Sequence, residues 1–201
     1  MEATKRYDRA APNWDLKLRR LGYVPAYRAF LARHVNANQR VLDMGTGTGV
    51  FAKAWISEGG SHDITVLDFS APMLRIAVSR LNEAGVQAKA ELSSVESFEP
   101  SRKYQTVLMA HVIEHCPNTF DAFSKVSECL TLGGRFILVA SKPHWCNWLI
   151  WLRYRHRWFE QNTLCKMAHA AGLTCVETYL FRSGAPSRTS QGYVFQKTGM
   201  E

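Results

Sequence analysis

The feature that most constrains the fold is an apolar run that leads directly into three alternating glycines, VLDMGTGTG at residues 41–49. Glycine has no Cβ, so alternate glycines let the backbone turn sharply and approach a ligand closely. The helix predicted to follow, from about Gly49 to Glu58, directs its first N–H groups at the same place. The motif therefore predicts a buried strand, a ligand-binding turn and a helix, in that order.

Three classes of ligand-binding turn compete for this motif. A phosphate-binding loop requires Gly-Lys followed by Ser or Thr, which is absent. A dinucleotide fingerprint requires its third glycine at position 50, which is Val50, and does not normally carry an acid two residues before its first glycine. An S-adenosylmethionine site suits the motif, because an acid at Asp43 can help to orient the amino-acid end of that cofactor. A glycine-rich turn without a ligand is the remaining alternative.

A second acid, Asp68, ends the next predicted strand, at residues 63–68. A carboxylate at the end of this strand can accept hydrogen bonds from both ribose hydroxyls of a nucleoside. Acids often end strands, so Asp68 alone is a weak signal. Together with the glycine motif it favours S-adenosylmethionine as the ligand.

Strands and helices alternate regularly from residue 40 onward. Ser70, Pro72 and Gly85 mark the start and the end of one helix, as capping rules expect. The alternation predicts an α/β fold around a mostly parallel sheet, whose ligands bind at the carboxyl ends of the strands. The predicted strands span 40–44, 63–68, 86–92, 104–110, 135–140, 175–181 and 192–196, and the later predicted helices span 119–130 and 162–171.

The two ends of the chain differ in composition from its middle. Residues 1–36 are predicted to form an N-terminal helical cap or lid on a core at 37–201, which carries an aromatic and basic insert at 144–159. Residues 1–40 hold nine basic and three acidic side chains, and residues 142–201 hold eight and three. Basic ends of this kind suit nucleic acid, an anionic membrane surface or an acidic substrate, or serve only as solvated surface.

The cysteines and the apolar stretches indicate a reducing compartment. The five cysteines are odd in number and form no C-x-x-C pair, which argues against a disulfide framework and against a zinc site. No positively charged and then apolar leader opens the sequence, and the apolar stretch at 145–152 is too short to span a bilayer. A cytoplasmic protein without a bound metal is therefore expected.

Four motifs together resemble the class I S-adenosylmethionine-dependent methyltransferases, in particular the small-molecule branch that includes the ubiquinone and menaquinone biosynthesis enzymes. They are residues 41–49, VLDFSAPML at 66–74, VLMAHVIEH at 107–115 and LGGRF at 132–136. The resemblance covers residues 38–141 well and the C-terminal strands loosely. It implies a Rossmann-like, seven-stranded, mostly parallel sheet with helices on both faces and an antiparallel C-terminal strand. It also implies methyl transfer from S-adenosylmethionine to an oxygen or nitrogen atom of a small hydrophobic or aromatic acceptor.

The resemblance also assigns the cofactor site. The glycines contact the cofactor through their backbone, Asp68 holds the ribose, and Phe69 and Met73 flank the adenine. One departure concerns an acid that the family usually carries after the third strand to receive the adenine amino group. This chain has LSSVE at 92–96 instead, so Ser93, Ser94 or the backbone takes that place. The assigned cofactor residues are Asp43, Gly45, Thr46, Gly47, Gly49, Asp68, Phe69, Met73, Ser94, Val95, Ala110 and His111.

The catalytic candidates are two histidines in the loop after the fourth strand, His111 and His115. Methyl transfer from a sulfonium requires alignment of the reactants and, for a hydroxyl or a protonated amine, a base. Imidazole titrates near neutrality and suits that role. The alternative for His115 is a purely structural role in the loop.

Four aromatic residues are the candidate substrate contacts. Tyr7 and Trp14 lie in the predicted lid, where they can shield the methyl donor from water or anchor the cap. Trp145 and Trp148 lie in the insert, which suits the wall of an acceptor pocket, a lipid headgroup layer or the protein core.

Three other functions suit parts of the sequence. A phospholipid headgroup N-methyltransferase that contacts the membrane surface suits the basic ends and the Trp-rich insert. A nucleic-acid methyltransferase is the weaker candidate, because Cys116 precedes its proline and the motif Asn/Asp-Pro-Pro-Tyr/Phe is absent. The missing adenine acid is compatible with a cofactor-binding subunit that has no catalytic activity. The sequence leaves the oligomeric state open.

Overall fold

The computed structural model describes residues 16–144 and 157–199. Its strands are β1 (Val41–Met44), β2 (Ile64–Asp68), β3 (Lys89–Leu92), β4 (Tyr104–Ala110), β5 (Leu130–Ser141), β6 (Leu173–Tyr179) and β7 (Ser190–Lys197). Its helices are α1 (Tyr23–Leu31), α2 (Val50–Ser57), α3 (Ala71–Glu83), α4 (Thr119–Cys129), α5 (Gln161–Ala170) and α6 (Pro186–Thr189), and residues 16–20 are also helical.

All of these strands form one seven-stranded sheet in the order β3-β2-β1-β4-β5-β7-β6. β1 pairs in parallel with β2 and β4, and parallel pairing continues from β2 to β3 and from β4 to β5. β7 runs antiparallel to both of its neighbours, β5 and β6. The predicted Rossmann-like, mostly parallel sheet with an antiparallel C-terminal strand is confirmed.

Apolar side chains cover both faces of the sheet. One core joins α1, α2 and α3, through residues such as Phe30, Trp55 and Leu81, to β1 and β2. The other joins α4 and α5, through Phe123 and Leu164, to β4, β5 and β7. Burial of both clusters fixes the sheet between two helical layers, as predicted.

β5 is longer than the sequence predicts. It begins at Leu130, because Leu130 pairs with Tyr104 before the register shifts. The strand then passes through Gly133 and Gly134, which the sequence pattern places in a turn. Gly133 has a φ of +74°, so the extra residues bulge out of the ladder there.

β3 is shorter than the sequence predicts and begins at Lys89. The amide of Val86 donates to the carbonyl of Leu81 at 2.9 Å and so closes the end of α3. Val86 is therefore held in the core beside the helix and does not join the ladder. The start of α3 agrees with the prediction, since the Ser70 hydroxyl accepts a hydrogen bond from the Met73 amide.

α1 is part of the predicted N-terminal cap. Its buried side chains pack in the same core as α2, and the Tyr23 hydroxyl lies 3.0 Å from the Thr189 hydroxyl at the end of α6. The domain boundary at residue 36 stays a prediction. None of the described helices is both long and apolar enough to cross a membrane.

Candidate active site

A cavity of about 670 Å³ lies at the carboxyl ends of β1, β2 and β4, with α1 on one side. The parallel register brings the ends of these strands to one edge of the sheet. All but two of the predicted cofactor residues line it: Asp43, Gly45, Thr46, Gly47, Asp68, Phe69, Met73, Val95, Ala110 and His111. His115 lines it as well, so the structure brings both predicted bases to the same space.

The three glycines of the turn have different roles. All have a positive φ, between +54° and +77°, which favours glycine at each position. A Cβ built on Gly47 meets no atom within 4 Å, so the backbone there faces the open cavity. A Cβ on Gly45 would lie 2.4 Å from Val112 Cγ2. Gly49 does not line the cavity, and its Cβ would lie 3.0 Å from Ala77, so its role is the packing of α2 against α3.

Asp43 is 1% exposed and forms part of the floor of the cavity. Its Oδ2 accepts a hydrogen bond of 2.6 Å from the Thr46 hydroxyl. Burial raises the pKa of Asp43 to about 7, and the nearby charge of Asp68 adds to this, while the Thr46 hydrogen bond lowers it in part. A positively charged group bound beside Asp43 would favour its ionised form.

Asp68 ties the glycine turn to the end of β2. Its Oδ2 accepts from the Gly47 amide and its Oδ1 from the Ser70 amide, both at 2.8 Å. The amides of Gly45 and Thr46 also donate to the carbonyl of Leu67, so the turn is held at several points. A carboxylate oxygen can accept more than one hydrogen bond, so hydroxyl donors of a ligand can join these amides.

The predicted adenine region has an apolar wall. Phe69 is 45% exposed at the cavity, and Met73 and Val95 are buried beneath the same surface. Ser94 does not line the cavity, because its hydroxyl lies 2.7 Å from that of Ser97. Ser93 is the serine that lines it, and its amide donates to the Asp68 carbonyl.

His111 is the centre of a polar network at the end of β4. Its φ of +55° is unusual for a residue with a side chain and marks a strained site. Its Nδ1 lies 3.0 Å from Glu114 Oε1 and 3.2 Å from the Ser141 hydroxyl. Its Nε2 lies 3.2 Å from the Ser190 hydroxyl, and the ring packs edge-on against Tyr23. Both ring nitrogens are thus engaged within the protein.

Glu114 is a site residue that the sequence-based assignment missed. It is 3% exposed, lines the cavity, and accepts a 2.6 Å hydrogen bond from the Ser141 amide. Burial alone would raise its pKa, but the hydrogen bond and charge of His111 and the charge of His115 lower it to about 2. Its position three residues after His111 was visible in the sequence, but the contact with Ser141 was not.

Aromatic side chains of α1 and of the start of α2 form an apolar wall of the cavity. Tyr23, Tyr27 and Phe51 line the cavity. The ring centroids of Tyr23 and Tyr27 are 5.7 Å apart, and those of Tyr27 and Phe51 are 4.9 Å apart. Leu18 and Leu21 extend this wall. The tyrosines lie four residues apart on an amphipathic helix, and this spacing was the signal that could have found them.

The predicted substrate contacts Tyr7, Trp14, Trp145 and Trp148 lie outside the described residues. Lys17 and Arg157, next to two of those segments, line the cavity. Within the ranges that are described, no group of three or more His, Cys, Asp or Glu side chains is arranged to hold a metal ion.

A family model described as a methyltransferase domain matches residues 16–178. The chain belongs to this family. The match covers the glycine turn, Asp68 and the His111–His115 loop, so it includes the whole described cavity.

Relatives with curated names match about half of the chain. A phosphatidylethanolamine N-methyltransferase of Cereibacter sphaeroides is 30% identical over 114 residues, which are 54% of this chain and 54% of that protein. A ubiquinone biosynthesis O-methyltransferase of Xanthomonas euvesicatoria pv. vesicatoria is 28% identical over 104 residues, 51% of this chain and 43% of that protein. The chain thus spans about half the length of these curated relatives.

The fold also matches solved structures over nearly the whole chain. The N-methyltransferase NodS from Bradyrhizobium japonicum, solved in complex with S-adenosyl-L-homocysteine, superposes with a TM-score of 0.81 at 15% identity. The superposition covers 99% of this chain and 100% of that one. At this identity the likeness shows a shared fold.

Proposed function

We propose that the chain transfers a methyl group from S-adenosylmethionine to an oxygen or nitrogen atom of a small hydrophobic or aromatic acceptor. The observation that carries the proposal is the continuity of one cavity. It joins the glycine turn and Asp68 to the aromatic wall that α1 and α2 supply. A donor and an acceptor that share such a space can meet directly, which a displacement reaction requires.

The residues of the turn fit the cofactor. The open space at Gly47 admits a ligand against the backbone, and Asp43 suits an amino group while Asp68 suits ribose hydroxyls. Phe69 offers an exposed ring for an adenine. The S-adenosyl-L-homocysteine in the NodS complex supports the same ligand class for this fold.

When bound, the cofactor supplies an activated methyl group, which a nucleophile attacks in line with its bond to sulfur. Asp43, Asp68 and the glycine backbone bind and orient it. Tyr23, Tyr27 and the adjacent leucines exclude water from the reacting atoms. We assign His111 the positioning of Glu114 and the loop, since both of its ring nitrogens are engaged. We assign His115, exposed at the cavity, the uptake of a proton released by the acceptor.

A phospholipid headgroup N-methyltransferase at the membrane surface is the second candidate. Residues 16–21 expose Leu16 and Leu21 together with Lys17, Arg19 and Arg20, beside the cavity. Leucines between cations suit an anionic headgroup layer. The relative from Cereibacter sphaeroides supports this candidate too. A cytoplasmic location stays a prediction in either case.

Calorimetric titration with S-adenosylhomocysteine tests the donor site. We expect binding to the wild type and at least about tenfold weaker binding to Asp68→Asn, because a charge-assisted hydrogen bond contributes about 1.5–3 kcal/mol. Asp63→Asn, which removes an exposed ion pair with Arg102, is the control and should bind normally. Equal affinity of all three proteins would contradict the assignment.

Vesicle sedimentation separates the two candidates for the acceptor. Sedimentation with anionic vesicles that weakens as salt rises favours the membrane candidate. Absence of sedimentation, with turnover of a soluble acceptor, favours the small-molecule candidate. Turnover of any acceptor excludes a subunit without chemistry.

A further inference from the structure

Glu114 has one carboxylate oxygen that lacks a partner. Its Oε1 accepts hydrogen bonds from the Ser141 amide and from His111 Nδ1. Its Oε2 is buried and has no hydrogen-bond partner in the part of the chain that the structure describes. A buried carboxylate oxygen without a donor loses hydration and gains nothing in exchange. A donor on a molecule bound in the cavity would satisfy it.

The charge state of Glu114 indicates which kind of hydrogen-bond donor suits its Oε2 atom. Despite burial, His111 and His115 keep its pKa near 2, so the carboxylate is ionised at neutral pH. An ionised carboxylate only accepts hydrogen bonds, and it interacts most strongly with a cationic N–H donor. The missing partner is therefore an N–H donor that acquires positive charge as it reacts.

The surroundings of Glu114 favour a nitrogen atom over an oxygen atom as the donor to its Oε2 atom. Tyr23, Tyr27 and Phe51 line the same cavity, and aromatic faces attract ammonium groups. Burial and the neighbouring Tyr23, Glu114 and Asp43 raise the pKa of Tyr27 well above its usual value, so its phenol stays neutral. Lys17 and Arg157 also line the cavity, and Arg157 donates to the Cys116 carbonyl.

Neither Glu114 nor His111 suits the activation of a hydroxyl acceptor. A carboxylate with a pKa near 2 does not remove a proton from an alcohol, and both ring nitrogens of His111 are engaged. A neutral amine already exposes a lone pair and needs no base before it attacks.

We propose that the acceptor is an amine whose nitrogen donates a hydrogen bond to Glu114 Oε2, within the aromatic wall formed by Tyr23, Tyr27 and Phe51. This inference rests on the proposed methyl transfer and names its acceptor class. It makes Glu114 a binding residue of the acceptor site, separate from the glycine turn.

In the proposed methyl transfer to the amine, one bond forms while another breaks. The nitrogen lone pair forms the N–C bond while the C–S bond breaks, and the electron pair of that bond returns to sulfur. Positive charge passes from sulfur to nitrogen, where the Glu114 carboxylate stabilises it. The nitrogen then loses its surplus proton to water or to His115, which leaves the methylated amine.

A matched pair of probes tests the proposal. 2-Phenylethylamine and 2-phenylethanol share an apolar body and differ in the amino or hydroxyl group. Each is titrated into the protein with and without saturating S-adenosylhomocysteine, and heat is recorded. We expect the amine to bind at least about tenfold more tightly than the alcohol, as expected for a charge-assisted hydrogen bond in a buried site.

Four variants test whether the preference for the amine arises at this site. In Glu114→Gln the amine and the alcohol should bind equally, and in Tyr27→Phe the preference should persist because the ring remains. Glu177→Gln, which removes an ion pair with Arg33 outside the cavity, should retain the full preference. Tyr23→Leu, which removes one ring from the wall, should weaken the amine more than the alcohol.

The outcomes separate this proposal from the proposed function. Equal binding of both probes to the wild type, binding of neither, or a preference that survives in Glu114→Gln overturns the amine assignment. If Glu114→Gln does not fold, an unchanged preference in Tyr23→Leu overturns it. Failure of S-adenosylhomocysteine to bind the wild type overturns the methyl-transfer proposal instead.

Discussion

At the scale of single residues, Gly47 and Gly59 form a matched test of the cavity. Both have a positive φ and open space at the Cβ position, but only Gly47 lines the cavity. Valine at either position costs roughly 1–3 kcal/mol of stability through backbone strain. We expect Gly47→Val to abolish S-adenosylhomocysteine binding in calorimetry and Gly59→Val to retain it. Equal affinities in the two folded variants would contradict the placement of the ligand.

Asp43 should release a proton when S-adenosylhomocysteine binds. With a pKa of about 7 it is roughly half protonated at pH 7, and a bound ammonium group should ionise it fully. Titration of S-adenosylhomocysteine in two buffers of different ionisation enthalpy should therefore show release of roughly half a proton at pH 7. The affinity should rise as the pH rises through 7. Asp43→Asn should show neither effect, and release that persists in this variant would argue against Asp43 as the source.

Residues with a local signal were predictable from the sequence, and residues defined by distant contacts were not. Asp43, Gly47 and Asp68 stand in motifs whose spacing predicts a place at the cavity, which all three line. The place of Glu114 depends on its contact with Ser141. The spacing of Tyr23 and Tyr27 indicates one helix face, but only the packing of α1 brings that face to the cavity. The assignment of Ser94 shows the limit, because only the fold decides which of two adjacent serines faces the cavity.

At the scale of elements, α1 is held on the sheet by Phe30. This ring is fully buried and stacks on Tyr179 at 4.9 Å, and a Cβ on Gly192 of β7 would lie 2.9 Å from it. We expect Phe30→Ala to lower the free energy of unfolding by about 3–5 kcal/mol, because it leaves a cavity. Leu132→Ala, at a side chain that is 73% exposed, should change it by less than about 0.5 kcal/mol. Denaturant unfolding of both variants measures this, and equal losses would contradict the packing of α1.

The sequence predicted whether a segment is a helix or a strand more accurately than it predicted the first and last residues of that segment. Apolar runs with turn residues between them predicted each strand of the sheet. The early start of β5 and the late start of β3 depend on a pairing with Tyr104 and on a helix-closing hydrogen bond from Val86. Such contacts join separate elements and leave no periodic pattern in the sequence.

At the scale of the whole molecule, Glu114 contributes to stability against acid. Its folded pKa of about 2 is below its unfolded value of 4.5, so its contribution is present above pH 4.5 and is lost as pH falls toward 2. The wild type should lose roughly 3 kcal/mol more than Glu114→Gln over this interval. Chemical unfolding at a series of pH values measures the difference. Parallel pH profiles for the two proteins would show that the buried His111–Glu114 pair does not form.

The architecture of the whole molecule was predictable because its motifs lie at the ends of parallel strands. The sheet gathers strand ends at one edge, and the family match from residue 16 to 178 covers the carboxyl ends of β1, β2, β4 and β5 at that edge. The part of the cavity lined by α1 was less predictable, since α1 is placed there by packing against β7 and α2. The part of the cavity at the glycine turn is thus determined by motifs, and the part lined by α1 by tertiary packing.

A crystal structure of the protein with S-adenosylhomocysteine tests the central claim most directly. We expect the ribose hydroxyls within hydrogen-bond distance of Asp68, the amino group beside Asp43 and the adenine against Phe69. The sulfur should face the wall formed by Tyr23 and Tyr27. A ligand bound elsewhere, or one in this cavity without contact to Asp68 or Asp43, would contradict the account.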